Sequence, residues 1–121
     1  MDSSETLSRC RLALLGHPLL ALDCEGVDLG RRGEISLIQI ATREECFIID
    51  VQGTSDLQRT FTWNTDVVAV VKPVLEDKKV CKIMHDCKAD SDALYHLFGI
   101  KLQNVHDTQV AISPRVSGCL R

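Results

Sequence analysis

The chain has 121 residues, of which 45% are hydrophobic and 26% are charged, a balance typical of one packed globular domain or part of one. This composition excludes a disordered tail and a low-complexity repeat, and no apolar run approaches the roughly 20 residues that span a bilayer. The net charge of −3 and the aromatic content of 4% exclude a protein that holds nucleic acid by positive charge or base stacking alone.

The N-terminus and the cysteines indicate where the protein works. Residues 1–5 are acidic and polar and do not form a secretory signal, so we expect an intracellular protein, nuclear or cytoplasmic, without a membrane partner. The six cysteines form no CxxC pair, and we expect reduced thiols that serve as small core residues.

The first half of the chain predicts one helix followed by three antiparallel strands. Residues 6–15 have helical spacing, and Gly16 ends the helix. The apolar stretches that follow are short, as is typical of strands. Their connections are brief, and Gly30 and Gly33 favour a hairpin, so neighbouring strands should run antiparallel. The predicted strands are residues 19–22, 35–41 and 46–51.

The second half predicts alternating helices and strands. Residues 67–75 place valines on one helical face, and Pro73 inside this pattern should kink or shift the helix. This helix is a crossover connection, which makes the next strand, residues 80–85, parallel to the first. Residues 88–98 form the clearest helix, and residues 100–108 contain a fifth strand and a helix cap. The pattern indicates an α/β fold.

Two carboxylates lie at the end of the first predicted strand. Asp23 and Glu25 are two residues apart, which puts both side chains on one face of a strand. Like charges this close repel each other, and water or a hard divalent cation such as Mg²⁺ neutralises them. The alternative is a pair of solvated acids in a loop.

A third acid begins the clearest helix. Asp90 precedes Ala93 and Leu94 by three and four residues, so it lies on the inward edge of the helix and needs a partner or an ion. The alternative is a first-turn acid favoured by the helix dipole. We expect Asp86 to cap this helix and Asp92 to face water.

Sheet topology decides whether these residues act together. If the first and fourth strands are adjacent and parallel, Asp23, Glu25 and Asp90 meet at the carboxyl edge of the sheet, where α/β proteins bind ligands. Such a cluster could hold two cations about 4 Å apart, the spacing of two-metal phosphodiester chemistry.

His85 ends the fourth strand, where it either orients an acid or touches a substrate, or is a half-buried structural histidine. Asp107 is expected to be a cap or a structural acid.

Basic residues predict either a groove for a phosphate backbone or a solvated surface. Because the chain carries no excess of positive charge, any nucleic-acid function must rest on a site in which metal ions supply it. The loosely grouped basic residues are Lys72, Lys78, Lys79, Lys82 and Lys88, with Arg31 and Arg32 as a separate pair.

Three ordered blocks give the most specific signal. They are residues 22–26 (LDCEG) with 35–42 (ISLIQIAT), residues 82–94 (KIMHDCKADSDAL) and residues 104–111 (NVHDTQVA). In order, they resemble the first motif, the second motif and the segment before the third motif of the DEDD 3′–5′ exonucleases of the ribonuclease D type, in the 3′–5′ exonuclease-domain-containing branch. The second motif places an acid five residues after a histidine, and here that acid is Asp90.

The resemblance implies a ribonuclease H-like mixed five-stranded sheet, three antiparallel strands and then parallel ones, flanked by helices and incomplete at the C-terminus. It implies two Mg²⁺ or Mn²⁺ ions, one held by Asp23, Glu25 and a fourth acid, the other bridged by Asp23, with Asp90 acting through the water shell. These three acids are then the catalytic and metal-binding residues. Backbone near Gly26 would approach the terminal nucleotide, His85 would contact substrate, and the substrate is the 3′ end of RNA or single-stranded DNA.

The family's third motif, Tyr-x3-Asp or His-x4-Asp, has no match after Ala111. We therefore expect a truncated chain: a lead-in segment at residues 1–18, a partial 3′–5′ exonuclease domain at residues 19–112 and an irregular tail at residues 113–121. Hydrolysis from the 3′ end is predicted to be weak or absent in this chain alone. The alternative is a catalytically silent exonuclease-like fold that binds RNA or a protein partner.

Overall fold

A mixed five-stranded sheet forms the centre of the computed structural model, which describes residues 3–51 and 62–111. Its strands lie in the order β3-β2-β1-β4-β5. The tail predicted at residues 113–121 lies outside the described residues. In chain order the elements are α1 (Ser3–Leu14), β1 (Leu19–Val27), β2 (Glu34–Ala41), β3 (Cys46–Asp50), α2 (Thr62–Leu75), β4 (Cys81–Met84), α3 (Lys88–Phe98), β5 (Val105–Asp107) and α4 (Thr108–Ala111).

Strand directions follow from the connections. The strands β1, β2 and β3 are joined in sequence and pair antiparallel. The strand β4 follows the helix α2 and pairs parallel with β1, and β5 follows α3 and pairs parallel with β4. The predicted α/β fold, with three antiparallel strands and then parallel ones, is confirmed.

The first strand is longer than its sequence predicted. It continues past Leu22 to Val27, so Asp23 and Glu25 lie inside the strand and pair with Gln39 and Leu37 of β2. The prediction of a strand whose end carries the two acids is confirmed, and β1 continues past the apolar run because pairing with β2 satisfies the backbone whatever the polarity of the side chains. This extension carries both carboxylates beyond the end of the shorter neighbour β4.

Alternation along the strands puts one face of the sheet into the core. Leu20, Leu22 and Cys24 of β1 are buried, whereas Ala21, Asp23 and Glu25 between and beyond them are exposed. The buried residues join Cys10 and Leu14 of α1 in one hydrophobic cluster. Burial of Cys10 and Cys24 fits their predicted role as small core residues, whereas Cys46 is exposed, and the five cysteines within the described ranges are all free thiols.

The helix α2 packs by its predicted stripe, and α3 packs by Ala93 and Leu94, whereas Leu97, which the helical spacing also predicted to be buried, is exposed. Val67, Val71 and Leu75 of α2 are fully buried. The helix continues through Pro73 to Leu75, because a proline in the last turn removes only one amide donor, and the amide of Glu76 still donates to the carbonyl of Lys72 at 3.0 Å. No helix in the described part of the chain is long and apolar enough to cross a membrane.

Candidate active site

The two acids of the first motif share the exposed face of β1. Asp23 and Glu25 are both exposed, and Cys24 between them is buried on the core side. The pairing with β2 shifts register between Glu25 and Gly26, which marks a β-bulge directly after the second acid. Both carboxylates therefore project into solvent from the same face of β1, near its carboxyl end. The alternative of two acids that contact only water does not explain the third acid, Asp90, which lies beside them.

Asp90 reaches this edge from the first turn of α3. It is only 6% exposed, and its Oδ2 accepts a hydrogen bond of 3.2 Å from the backbone amide of Cys24, the residue between the two acids. The prediction that Asp90 faces inward is confirmed, and the exposure of Asp92 on the same helix agrees with its predicted solvent-facing position. Residues 66 positions apart in sequence thus meet through one bond.

Several negatively charged side chains lie close together around Asp90. Burial, together with the charges of Asp23, Glu25 and Asp86, raises the pKa of Asp90 to about 6, against the hydrogen bond from the Cys24 amide, which lowers it. Burial and the charges of Asp90, Asp23 and Glu25 also raise the pKa of the Cys24 thiol. The negative potential at this edge would favour a cation.

The donor set fits a hard divalent cation, because it consists of carboxylate oxygens. In the arrangement seen, no three His, Cys, Asp or Glu side chains within the described ranges converge closely enough to hold a metal ion. Asp90 is fixed by its hydrogen bond, whereas Asp23 and Glu25 are exposed and can change rotamer. The assignment of Asp23, Glu25 and Asp90 as metal ligands therefore stays a prediction.

Asp107 holds the turn that delivers Asp90. The Oδ1 of Asp107 accepts from the amides of Asp86 at 2.8 Å and Gln109 at 2.9 Å, and the Oδ2 accepts from Cys87 at 3.0 Å. Burial would raise the pKa of Asp107, but these amides and the Cys87 thiol outweigh it and lower the pKa to about 2. Asp107 is therefore the structural acid that the sequence predicted.

Asp86 does not cap α3, contrary to prediction. Its backbone is left-handed, with φ at 52°, and the helix begins after Cys87, which makes no side-chain capping bond. The amides of Asp86 and Cys87, directly before the helix, donate to the carboxylate of Asp107 from the neighbouring strand. Asp86 was the predicted cap because it lies two residues before α3 in sequence. Asp107 is brought to the same turn only by the pairing of β4 with β5.

The turn between β4 and α3 also fixes His85. This exposed side chain directly follows β4, and its Nδ1 lies 2.8 Å from the hydroxyl of Thr108, which in turn donates to the carbonyl of Met84 at 3.2 Å. Sequence reasoning did not single out Thr108. The neighbouring Asp107 marked the segment, but its relation to His85 depends on the pairing of β4 with β5.

Two further residues have structural explanations that the sequence did not give. A Cβ at Gly26 would overlap the backbone carbonyl of Glu34, so the hairpin itself requires glycine at the bulge.

Lys82 is fully buried, with its Nζ donating to the carbonyls of Asp77 at 2.7 Å and Gln103 at 2.9 Å. Lys82 cannot belong to the predicted phosphate groove or solvated surface, because its charge is used inside the fold.

A family model described as 3′–5′ exonuclease matches residues 1–116. The chain belongs to the 3′–5′ exonuclease family. The expectation drawn from the three sequence blocks is thereby confirmed, and the family match includes the segment that carries α1, ahead of the predicted domain start.

Relatives of this exonuclease family agree in sequence and in structure. The piRNA biogenesis protein EXD1 of Mus musculus is 36% identical over 93 residues, which are 77% of this chain and 15% of the relative. The structure of Trypanosoma brucei RNase D in complex with RNA U12 superposes with a TM-score of 0.76 at 28% identity, over 92% of this chain and 37% of that one. Escherichia coli RNase D gives a TM-score of 0.68 at 26% identity, over 92% of this chain and 27% of that one.

Proposed function

We propose that this chain carries the metal-binding half of a 3′–5′ exonuclease site and that the protein acts on the 3′ end of RNA. The observation that supports this most directly is the bond of 3.2 Å between Asp90 and the amide of Cys24, which brings the acid of the second motif to the backbone between the acids of the first. The Trypanosoma brucei RNase D, a structural neighbour, forms a complex with RNA U12, and this supports RNA over DNA as the substrate.

Three carboxylates have separate tasks in this proposal. Asp23 and Glu25 would hold Mg²⁺ or Mn²⁺, and Asp90 would accept hydrogen bonds from water at the site. When bound, such ions lower the pKa of water and stabilise the oxygen that leaves the phosphodiester. The Cys24 amide holds Asp90 in place throughout, and Gly26 and His85 are the predicted contacts of the terminal nucleotide.

The chain spans 15% of the Mus musculus relative and 16% of the Homo sapiens relative, so the activity of the longer proteins is itself part of the proposal. A Tyr-x3-Asp or His-x4-Asp third motif does not occur after Ala111 in the 121 residues. Without the fourth acid and a group that orients water, we expect cleavage by this chain to be slower by orders of magnitude than that of a complete site.

Metal binding tests the site independently of turnover. Thermal unfolding is measured with and without Mn²⁺ for the wild type, Asp23→Ala, Asp90→Asn and the matched control Asp92→Asn, an exposed acid on the same helix. Mn²⁺ at 100 times its Kd should stabilise the wild type and the control by about 2.7 kcal/mol. Loss of this increment in Asp23→Ala and Asp90→Asn supports the site, and equal stabilisation of all four proteins contradicts it.

Digestion of an RNA oligonucleotide tests the chemistry. In single-turnover reactions with Mn²⁺, the wild type should release mononucleotides from the 3′ end slowly, and Asp23→Ala should release none. Wild-type rates that survive Asp23→Ala would refute the site assignment. RNA binding that needs neither the cation nor Asp23 would instead favour the catalytically silent alternative.

A further inference from the structure

The hydroxyl of Thr108 contacts both the ring of His85 and a backbone carbonyl. A threonine hydroxyl has one hydrogen, and the carbonyl of Met84, 3.2 Å away, can only accept. If the hydroxyl donates to Met84, the contact of 2.8 Å with His85 Nδ1 is a bond that the ring donates. In a neutral imidazole this leaves Nε2 unprotonated, as a hydrogen-bond acceptor.

The pairing of β1 with β4 puts His85 and Asp23 at corresponding positions beyond the paired residues. These strands pair Ala21 with Ile83, and two residues further along each segment come Asp23 and His85. Neighbouring strands lie roughly 5 Å apart. His85 is exposed, as Asp23 is, so both side chains are accessible to a bound molecule.

We propose that His85, held by Thr108 as the Nδ1–H tautomer, presents Nε2 as a hydrogen-bond acceptor to a donor group of the nucleotide bound beside Asp23. Thr108 is a positioning residue in this arrangement and does not touch the nucleotide. The proposal rests on the proposed function for its ligand, but the tautomer itself is a property of the free chain.

The tautomer is measured by nitrogen NMR of the histidine rings, roughly two pH units above the ordinary pKa of histidine. His85 should show a protonated Nδ1 and a bare Nε2, with widely separated nitrogen shifts. Thr108→Val should bring the two shifts toward each other, because both tautomers become populated, and Thr108→Ser should restore the separation. His17 and His96 are internal controls whose shifts should not move. A wild-type ring protonated at Nε2, or no response to Thr108→Val, overturns the proposal.

Nucleotide contact is measured by titrating guanosine 5′-monophosphate with Mg²⁺ into the full chain. The Nε2 signal of His85 should shift together with the amide of Cys24. His85→Phe keeps an aromatic ring without the acceptor and should weaken binding roughly 3- to 10-fold, the worth of one neutral hydrogen bond. The matched control His96→Phe should bind as the wild type does.

The outcomes separate this proposal from the proposed function. A shift of the Cys24 amide without a shift of His85 Nε2 overturns the acceptor role and leaves the nuclease site standing. Mg²⁺ binding without any effect of the nucleotide contradicts the nuclease site and the inference that depends on it. A titration with the 2′,3′-dideoxy nucleotide identifies the donor: loss of the Nε2 shift assigns it to a sugar hydroxyl, and its retention to the base, and either result supports an acceptor at His85.

Discussion

At the residue scale, one carboxylate links three segments of the chain. Asp107 at the end of β5 accepts hydrogen bonds from Asp86 and Cys87 before α3 and from Gln109 in α4. Hydrogen bonds to a charged acceptor are stronger than those to a neutral one, and here they fix the start of the helix that carries Asp90. The geometry of the candidate site thus depends on a residue that lies outside the acid cluster.

Asp107→Asn should destabilise the fold by roughly 2 kcal/mol at neutral pH, because the amide group replaces one acceptor oxygen with a donor. The pKa of Asp107 is lowered from 3.8 to about 2, so its carboxylate contributes fully above its unfolded pKa and loses that contribution as the pH falls toward 2. The stability difference between wild type and variant should therefore shrink across this window. Urea unfolding at several pH values measures it.

Asp92→Asn is the matched control for this experiment, since Asp92 is an exposed acid of α3. It should change the free energy of unfolding by less than about 0.5 kcal/mol. A difference between wild type and Asp107→Asn that stays constant from neutral pH to the acid limit would contradict the assigned role of the carboxylate.

At the element scale, the β1–β2 hairpin and the end of α3 use glycine for different reasons. Gly26 leaves room for the carbonyl of Glu34 at the bulge, whereas Gly99 has open space around it but a left-handed backbone with φ at 66°. The amide of Gly99 donates to the carbonyl of Tyr95 at 2.9 Å and the amide of Ile100 to that of Leu94 at 3.1 Å, which closes the helix. Steric overlap and backbone strain can therefore be compared within one protein.

Gly26→Ala should cost more stability than Gly99→Ala. A methyl group at position 26 meets backbone that cannot move without shifting the hairpin, for which we expect roughly 2–3 kcal/mol. At position 99 only the left-handed conformation is penalised, by about 1 kcal/mol. Chemical denaturation of both variants checks the order, and equal losses would show that the hairpin yields to the added group.

At the scale of the whole molecule, α1 is part of the same core as the sheet. Cys10 and Leu14 are buried in the central hydrophobic cluster, and α1 packs against α2. Arg9 forms an ion pair with Glu45 in the turn after β2. Burial and the charge of Glu45 also raise the pKa of the Cys10 thiol to about 11. The first helix therefore contributes to the stability of the sheet that carries the site.

Leu14→Ala and Leu15→Ala form a matched pair that tests this contribution. Leu14 is 1% exposed and its neighbour Leu15 is 60% exposed. Truncation of the buried leucine should cost roughly 2–5 kcal/mol, and truncation of the exposed one less than about 0.5 kcal/mol. Similar small losses in thermal unfolding would mean that α1 is only loosely attached to the core.

Local patterns predicted most elements of this fold. The spacing of Ala93 and Leu94 predicted both the helix α3 and the inward position of Asp90, and the turn lengths predicted the antiparallel strands. Local patterns failed where the partner lies elsewhere in the chain. The apolar run of the first strand stops at Leu22, and only the pairing with β2 shows that β1 continues past the two acids to Val27.

The sequence by itself determined the helices, most of the strands and the three motif blocks, because alternation and spacing are properties of neighbouring residues. Only the tertiary structure decided that Asp107 replaces Asp86 at the start of α3, that Thr108 holds His85 and that Lys82 is buried. Those contacts join residues 5 to 23 positions apart across turns and parallel strands. A hydrogen bond across a sheet is fixed by strand register, and register appears only when the chain has folded.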